Sequence, residues 1–223
     1  MALPSRSSCV LATLAACLPA VSHADADEAD AHDDTDTKPL VVEANLPAGY
    51  PVPGPPGEVT LKTFPPYRLA RAKGPNAFGQ LFRHITTHDI PMTAPVEMTL
   101  APAPGNDHDD GDAPLRRLDM AFLYHDPGVG EPGPDGSVEV IDMPAITALS
   151  YGFFGRPTPD VLHKAVARLH ADLADRPNLA PAGPPRLAGY NSPTVPEPRR
   201  YYEVQLPVAA LPTDEEPDLS PSL

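Results

Sequence analysis

Apolar residues follow two different periods along the stretch from Ala77 to Met98. In its first half, large apolar side chains lie three and four positions apart, which places them on one face of a helix. These residues are Phe78, Leu81, Phe82 and Ile85. Pro91 cannot continue a helix, and apolar residues then occupy every second position from Met92 to Leu100. The stretch therefore predicts a helix, a tight loop and a strand.

The segments on either side complete a first structural unit. Alternation from Val59 to Phe64 predicts a strand, Pro65-Pro66 a turn, and alternation from Tyr67 to Ala72 a second strand, which is the pattern of a β-hairpin. The predicted helix and strand follow, and Leu115 to His125 adds another strand after a polar loop. The first half of the chain therefore has the order ββαββ.

The second half repeats this order. Ser137 to Gly152 can be aligned with Glu58 to Lys73, so the two predicted hairpins resemble copies of one another. A helical stripe predicts a helix over Thr158 to Asp175, and its first residue is a suitable N-cap. Two short runs, Arg186 to Asn191 and Arg200 to Pro207, predict the last strands.

Two equivalent halves predict an α+β fold. We expect a pseudo-symmetric, distorted antiparallel β-barrel of two ββαββ halves, with two helices packed on it. Such a body leaves grooves where a helix meets the curled sheet, and small molecules bind in grooves of this kind.

Composition limits the partners. The chain has 223 residues and 41% apolar content, which is enough for the core of one domain, and its 33 prolines fall mostly between the periodic segments. The net charge of −14 argues against nucleic acid and anionic membranes as partners, because one polyanion gains nothing by releasing counterions from another.

The first 24 residues have the pattern of a secretory signal peptide. Arg6 supplies a positive charge, Cys9 to Val21 is apolar, and Ser22-His23-Ala24 provides the small residues that precede a cleavage site. We therefore expect an exported protein, periplasmic or secreted. In an alternative interpretation, a lipoprotein box ends at Cys17, which would carry a lipid anchor. The apolar segment is too short to span a bilayer, and the sequence contains no other transmembrane candidate.

The predicted domain covers residues 58–208. Residues 25–57 form an acidic and proline-rich arm, expected to be disordered or extended, and residues 209–223 form a disordered acidic tail. Both cysteines, Cys9 and Cys17, belong to the signal peptide. A chain cleaved after it has no thiol, which excludes disulfides, thiolate catalysis and covalent haem attachment.

No established catalytic motif occurs, so the predicted helix carries the candidate chemistry. His84 and His88 are four residues apart, which places both imidazoles on one side for a metal or haem iron if the helix extends that far. If it ends earlier, both are exposed polar residues. Arg83 is suited to pair with a carboxylate on a flat apolar ligand, or is simply an exposed arginine. Phe78 and Phe82 would line a ligand groove or belong to the core.

The same stretch carries a resemblance to a known family. The motif FGQLFRHI followed by IPMTAPVEM resembles the SOUL haem-binding family, and LKTFPPY at 61–67 and GYNSP at 189–193 support the similarity. It extends over about Glu58 to Val208. The resemblance implies a pseudo-symmetric barrel with two helices and an exposed apolar groove that binds a tetrapyrrole without a covalent bond.

Carried onto this sequence, the resemblance places the groove contacts at Phe78, Phe82 and Arg83, with Arg83 as the partner of a haem propionate. Members of the family often have an acid or histidine in the first strand where this chain has Lys62-Thr63, so no axial ligand is carried over there. His84 and His88 remain candidate axial ligands.

These observations predict an exported, non-enzymatic haem or tetrapyrrole-binding protein. The first alternative is a binding module for another amphipathic small molecule. The second is a small-molecule hydrolase, which would need an acid in the groove. Glu97 is the candidate, although strand alternation places it opposite Val96 and Met98 and therefore towards solvent.

Overall fold

A computed structural model describes residues 43–103 and 114–212. The predicted signal peptide, the acidic leader with His32, and most of the predicted tail lie outside the described residues. Within the described part of the chain, neither helix is long and apolar enough to cross a membrane.

The described residues contain eleven strands, two α-helices and one short 3-10 helix. The strands are β1 (Val59–Phe64), β2 (Tyr67–Lys73), β3 (Val96–Pro102), β4 (Leu115–Arg117), β5 (Asp119–Leu123), β6 (Gly133–Asp135), β7 (Val138–Met143), β8 (Ile146–Phe154), β9 (Leu179–Pro181), β10 (Arg186–Gly189) and β11 (Tyr201–Ala210). The helices are α1 (Ala77–Thr87) and α2 (Pro159–Ala174), and the 3-10 helix is Glu197–Arg199.

Both predicted helices are present near their expected bounds. The Thr158 side chain caps α2 by accepting a hydrogen bond from the backbone N–H of Val161 at 3.3 Å, as its position predicts. The predicted strand from Leu115 to His125 is interrupted at Leu118 and forms β4 and β5. The short strands β6 and β9 were not predicted, because three residues are too few to show a period.

The predicted β-hairpins are wrong. β1 pairs with β8, and β2 pairs with β7. The two strands of each predicted hairpin therefore pair with strands of the other half and not with each other. Phe64 lies opposite Ile146, and Tyr67, three residues later, lies opposite Met143, three residues earlier than Ile146. The register is therefore unbroken, and the two segments are related by an approximate two-fold axis.

Proline explains why the chain passes straight on between these strands. Pro65-Pro66 separates β1 from β2, and Pro144-Ala145 separates β7 from β8. The register places the two pairs opposite each other. Proline has no N–H group for a ladder hydrogen bond, so the ladder is interrupted here without reversal of the chain.

The strand order is β1-β8-β11-β10-β3-β5-β2-β7-β6, with β4 beside β3 and β9 beside β11, and every pair is antiparallel. The sheet is strongly curved and barrel-like but not closed. This confirms the predicted α+β class and distorted barrel.

Each helix packs on strands of its own half and on a strand of the other half. Leu81 and Ile85 of α1 pack on a cluster from β2, β5 and β7 that includes Phe122. Leu162 and Leu169 of α2 pack on a cluster from β3, β8, β10 and β11. The pseudo-symmetry predicted from the sequence is therefore present in the packing as well as in the element order.

The described part of the proline-rich arm lies against the sheet. Tyr50 is buried between Phe64 and Tyr67, with edge-to-face ring contacts at centroid distances of 4.9 and 5.9 Å. The backbone N–H of Ala48 donates to the carbonyl of His125 at 2.9 Å. Residues 43–57 thus contribute side chains to the interior.

We predict that Gly152→Ala destabilises the fold by about 1–3 kcal/mol, because the new Cβ overlaps the hydroxyl of the buried Tyr201. That hydroxyl cannot retreat freely, since it donates to the Gly54 carbonyl. Gly183→Ala is the matched control, because its Cβ would meet only Pro207 carbons at 3.8 Å. Urea unfolding of both variants checks this; equal stabilities would contradict the packing described.

Candidate functional site

One flank of α1 exposes two aromatic rings. Phe78 and Phe82 are 45% and 53% exposed, and their rings are nearly parallel, with an angle of 9° and centroids 6.2 Å apart. Met92, in the loop that follows the helix, is 38% exposed and lines a cavity of about 120 Å³ together with Phe78 and Val96. Phe78, Phe82 and Met92 are called the aromatic surface below.

Arg83 follows Phe82 on the helix. It is exposed, and with 3.6 residues per turn it is rotated by about 100° from Phe82. Among the residues that the structure describes, Arg83 has no hydrogen-bond or ion-pair partner. Its guanidinium is therefore available to an anionic group of a ligand.

The two histidines lie on a different flank of α1. The helix ends at Thr87, and His88 is the C-cap, with its backbone N–H donating to the His84 carbonyl at 3.1 Å. The two rings nevertheless lie side by side, with centroids 4.8 Å apart. His84 is buried and His88 is half exposed. The interpretation of both histidines as exposed residues is therefore wrong for His84.

Both imidazoles contact the same carboxylate. Asp135 Oδ2 lies 2.7 Å from His84 Nδ1 and 2.9 Å from His88 Nε2. Hydrogen bonds from His88 and then His84 hold the pKa of Asp135 below its usual value. The other nitrogen of His84, Nε2, lies 2.7 Å from the Tyr124 hydroxyl. His84, His88 and Asp135 are called the imidazole cluster below, and they line a cavity of about 360 Å³.

The five predicted site residues therefore do not form one site. The cavity at the aromatic surface is lined by Phe78 and Met92, whereas the cavity at the imidazole cluster is lined by His84 and His88, and the two share no residue. No imidazole of the cluster lines the cavity at the aromatic surface.

The predicted solvent-facing position of Glu97 is wrong. Its carboxylate is buried and lies 2.7 Å from the Tyr50 hydroxyl, 3.2 Å from the Tyr67 hydroxyl and 3.3 Å from Arg186 Nη1. Both faces of β3 are covered: Met98 packs towards α2, and Glu97 faces the interior. Alternation alone could not distinguish an interior polar face from a solvated one.

Arg186 is the cation of this interior. It donates to Gln205 Oε1 at 2.8 Å and to the Tyr67 hydroxyl at 2.5 Å. Burial alone would lower the pKa of Arg186, but Glu97 and the neighbouring tyrosines raise it above its usual value. Arg186 lines a second cavity of about 360 Å³, called the central cavity below. Its apolar lining includes Met98, Met143, Ile146 and Pro207.

A second buried ion pair joins the first and last long strands. Glu203 is fully buried and accepts from Lys62 Nζ at 2.5 Å, from Tyr190 at 2.8 Å and from Gln205 at 3.0 Å. Burial would raise the pKa of Glu203, but the Lys62 charge and these hydrogen bonds outweigh it and lower the pKa. Lys62 is therefore committed to an internal ion pair.

Several polar residues of these sites were not identified from the sequence. Asp135 had a usable signal, because it precedes Gly136-Ser137, a two-residue turn typical of a tight hairpin, and Gly136 has a φ of 60°. No sequence signal identified Lys62, Arg186 or Glu203, because their partners lie far away along the chain.

The family match agrees with this fold. Residues 68–207 match the family model described as SOUL heme-binding protein, which is more than half of the chain. The protein therefore belongs to the SOUL family. Among curated proteins, none matches the sequence significantly.

Solved structures resemble the fold at low sequence identity. An uncharacterized conserved protein from Listeria innocua is 16% identical, with a TM-score of 0.51, over 70% of this chain and 94% of that chain. A hydrolase from Listeria innocua is 14% identical, with a TM-score of 0.50 and the same coverage. The C-terminal domain of EcmrR is 18% identical, with a TM-score of 0.48, over 69% of this chain and 98% of that chain. The first two show a shared fold only.

We predict that Lys62→Met destabilises the protein by about 3–5 kcal/mol, because it leaves the Glu203 carboxylate buried without its counter-ion. Lys73→Met, at the exposed end of β2, removes the same charge and should change the free energy of unfolding by less than about 0.5 kcal/mol. Urea unfolding at neutral pH measures both. Similar values for the two variants would show that the internal pair is not as described.

Proposed function

We propose that this protein is exported and binds haem or a related tetrapyrrole, without a covalent bond, on the aromatic surface of α1. The observation that carries the proposal is the parallel, half-exposed pair Phe78 and Phe82, with Met92 beside it. Large apolar side chains exposed together on a soluble protein mark a binding surface. Membership of a heme-binding family supports a porphyrin as the occupant.

Apolar contact alone is sufficient for a porphyrin affinity near micromolar. Covering roughly 500 Å² of apolar surface, counted on both partners, contributes on the order of 12 kcal/mol at about 25 cal/mol/Å². Association costs of at least about 4 kcal/mol leave an affinity near micromolar. We therefore propose binding that needs no iron ligand from the protein.

Arg83 orients the ligand in this proposal. Arg83 follows Phe82 on α1, and its guanidinium, which has no partner among the described residues, matches a propionate carboxylate that accepts two parallel hydrogen bonds. When bound, haem supplies a redox-active iron and a visible chromophore. His84 and His88 contact Asp135 on the other flank, so the proposal gives them no part in holding the porphyrin. It assigns no catalytic step to the protein.

The export proposal rests on the sequence of residues 1–24, with a charged start, an apolar segment and small residues before Asp25. The mature protein would then meet its tetrapyrrole in the periplasm or outside the cell. The intact mass of the exported chain tests this, because cleavage before Asp25 gives a mass different from that of a chain lipidated at Cys17. A chain that retains residues 1–24 would contradict export.

We predict that Phe82→Ser weakens haemin binding by about tenfold or more, since one of the two exposed rings is lost. Leu61→Ser is the matched control, because Leu61 is 47% exposed but lies on β1, away from α1. Absorbance titration in the Soret region measures both affinities. We expect Leu61→Ser to bind as the wild type does.

The same titration separates the proposed orientation from iron ligation. Arg83→Glu should weaken haemin binding, and the loss should shrink for a porphyrin whose propionates are esterified. The double variant His84→Ala, His88→Ala should retain the wild-type affinity and spectrum. Absence of a Soret change at tens of micromolar wild-type protein would contradict the function proposed.

The central cavity favours a second candidate function, the binding of another amphipathic small molecule. The cavity is about 360 Å³, and it combines apolar side chains such as Met143 and Ile146 with the charged Arg186. A hydrolase would require Glu97 to activate water. Its carboxylate is instead bonded to Tyr50, Tyr67 and Arg186, which favours a structural role.

We predict that, if this second function holds, medium-chain carboxylates raise the melting temperature by a few degrees at saturating concentration. Ala182→Trp, at the exposed edge of the central cavity, should abolish the shift by obstructing entry. Thermal shift with decanoate and decanol checks this. Equal shifts in the wild type and Ala182→Trp would exclude the central cavity as the site.

A further inference from the structure

We propose that the imidazole cluster is a binding site for a divalent late transition metal such as zinc, cobalt or nickel. The ligands are His84 Nδ1, His88 Nε2 and a carboxylate oxygen of Asp135, and these atoms all lie within 4.8 Å of one another. The inference is independent of tetrapyrrole binding, because the cluster and the aromatic surface lie on different flanks of α1.

The donor set selects the class of metal. Imidazole nitrogen suits zinc, nickel and copper, whereas magnesium and calcium prefer oxygen ligands alone. Two histidines four residues apart provide neighbouring ligands, and the carboxylate of Asp135 reaches both. Three protein ligands leave a fourth tetrahedral position for water or a small anion. The adjoining cavity of about 360 Å³ provides room for it.

Tyr124 orients the ligand His84 through a hydrogen bond to the ring nitrogen that does not face the metal site. Its hydroxyl lies 2.7 Å from His84 Nε2, which directs the opposite nitrogen, Nδ1, towards Asp135. A ligating histidine commonly donates its other N–H to a neighbouring oxygen, which fixes the ring and its tautomer. His84 and Tyr124 are also buried, so the ring is held by packing.

Regular structure positions the other two ligands. The His88 backbone N–H bonds to the His84 carbonyl and holds the C-cap on the last turn of α1. Asp135 ends β6, where it lies opposite Val138 in the tight hairpin with β7. Without metal, Asp135 accepts hydrogen bonds from the two imidazoles. A metal ion would replace these hydrogen bonds: each neutral imidazole would present an unprotonated ring nitrogen to the metal and carry its proton on the other nitrogen, while the carboxylate turns to bind the ion.

Cobalt titration of the tag-free protein tests the site, since cobalt in a nitrogen and oxygen environment of low coordination number absorbs in the visible range. We expect one equivalent to bind, and zinc to displace it. His88→Ala and Asp135→Asn should weaken binding more than tenfold, and Tyr124→Phe by about tenfold. The first two side chains are half exposed, so these variants should fold. His170→Ala, an exposed histidine of α2, is the control and should bind normally.

His32 needs a separate control because it lies in the acidic sequence before the domain. His32→Gln should leave the cobalt spectrum unchanged. The proposal is overturned if folded wild-type protein binds no cobalt or zinc at 100 micromolar metal. It is also overturned if His88→Ala and Asp135→Asn bind as the wild type does, or if His32→Gln abolishes binding. Haemin affinity should be unchanged in Asp135→Asn, which separates this site from the tetrapyrrole site.

Discussion

The rest of the structure depends on the pairing of β1 and β2 with β7 and β8 in one unbroken register. Phe64 lies opposite Ile146 and Tyr67 opposite Met143, with a proline-containing pair between the strands on each side. This pairing joins the halves along an approximate two-fold axis. It therefore directs α1 and α2 onto different strands, and it leaves a curved interior between the halves.

That interior explains why charged residues are buried without leaving charges uncompensated. Lys62 pairs with Glu203, and Arg186 pairs with Glu97 and donates to the Tyr67 hydroxyl. Truncation of one partner of a buried pair is far more costly than loss of a surface pair. α1 packs on β2, β5 and β7, and its two flanks carry different chemistry: flat apolar rings on one, and nitrogen and oxygen ligands on the other.

Sequence patterns predicted the helices, most long strands and the pseudo-repeat, because each depends on a local period or on a family motif. They did not predict strand partners, since the residues around Pro65-Pro66 fit a hairpin as well as a straight passage. The predicted solvent-facing position of Glu97 was wrong for a related reason. A period of two shows which residues share a face of a strand, but it does not show what covers that face. The helical spacing of His84 and His88 was informative, but their partner Asp135 is brought to them only by the tertiary fold.

The central claim is that a porphyrin lies on the aromatic surface of α1. Methionine methyl groups provide the most direct test, because Met92 belongs to that surface, whereas Met98 and Met143 line the central cavity. Methyl-labelled protein titrated with zinc protoporphyrin should show a large ring-current shift at Met92 and unchanged resonances at Met98 and Met143. Large shifts at Met98 and Met143, with Met92 unchanged, would contradict the account.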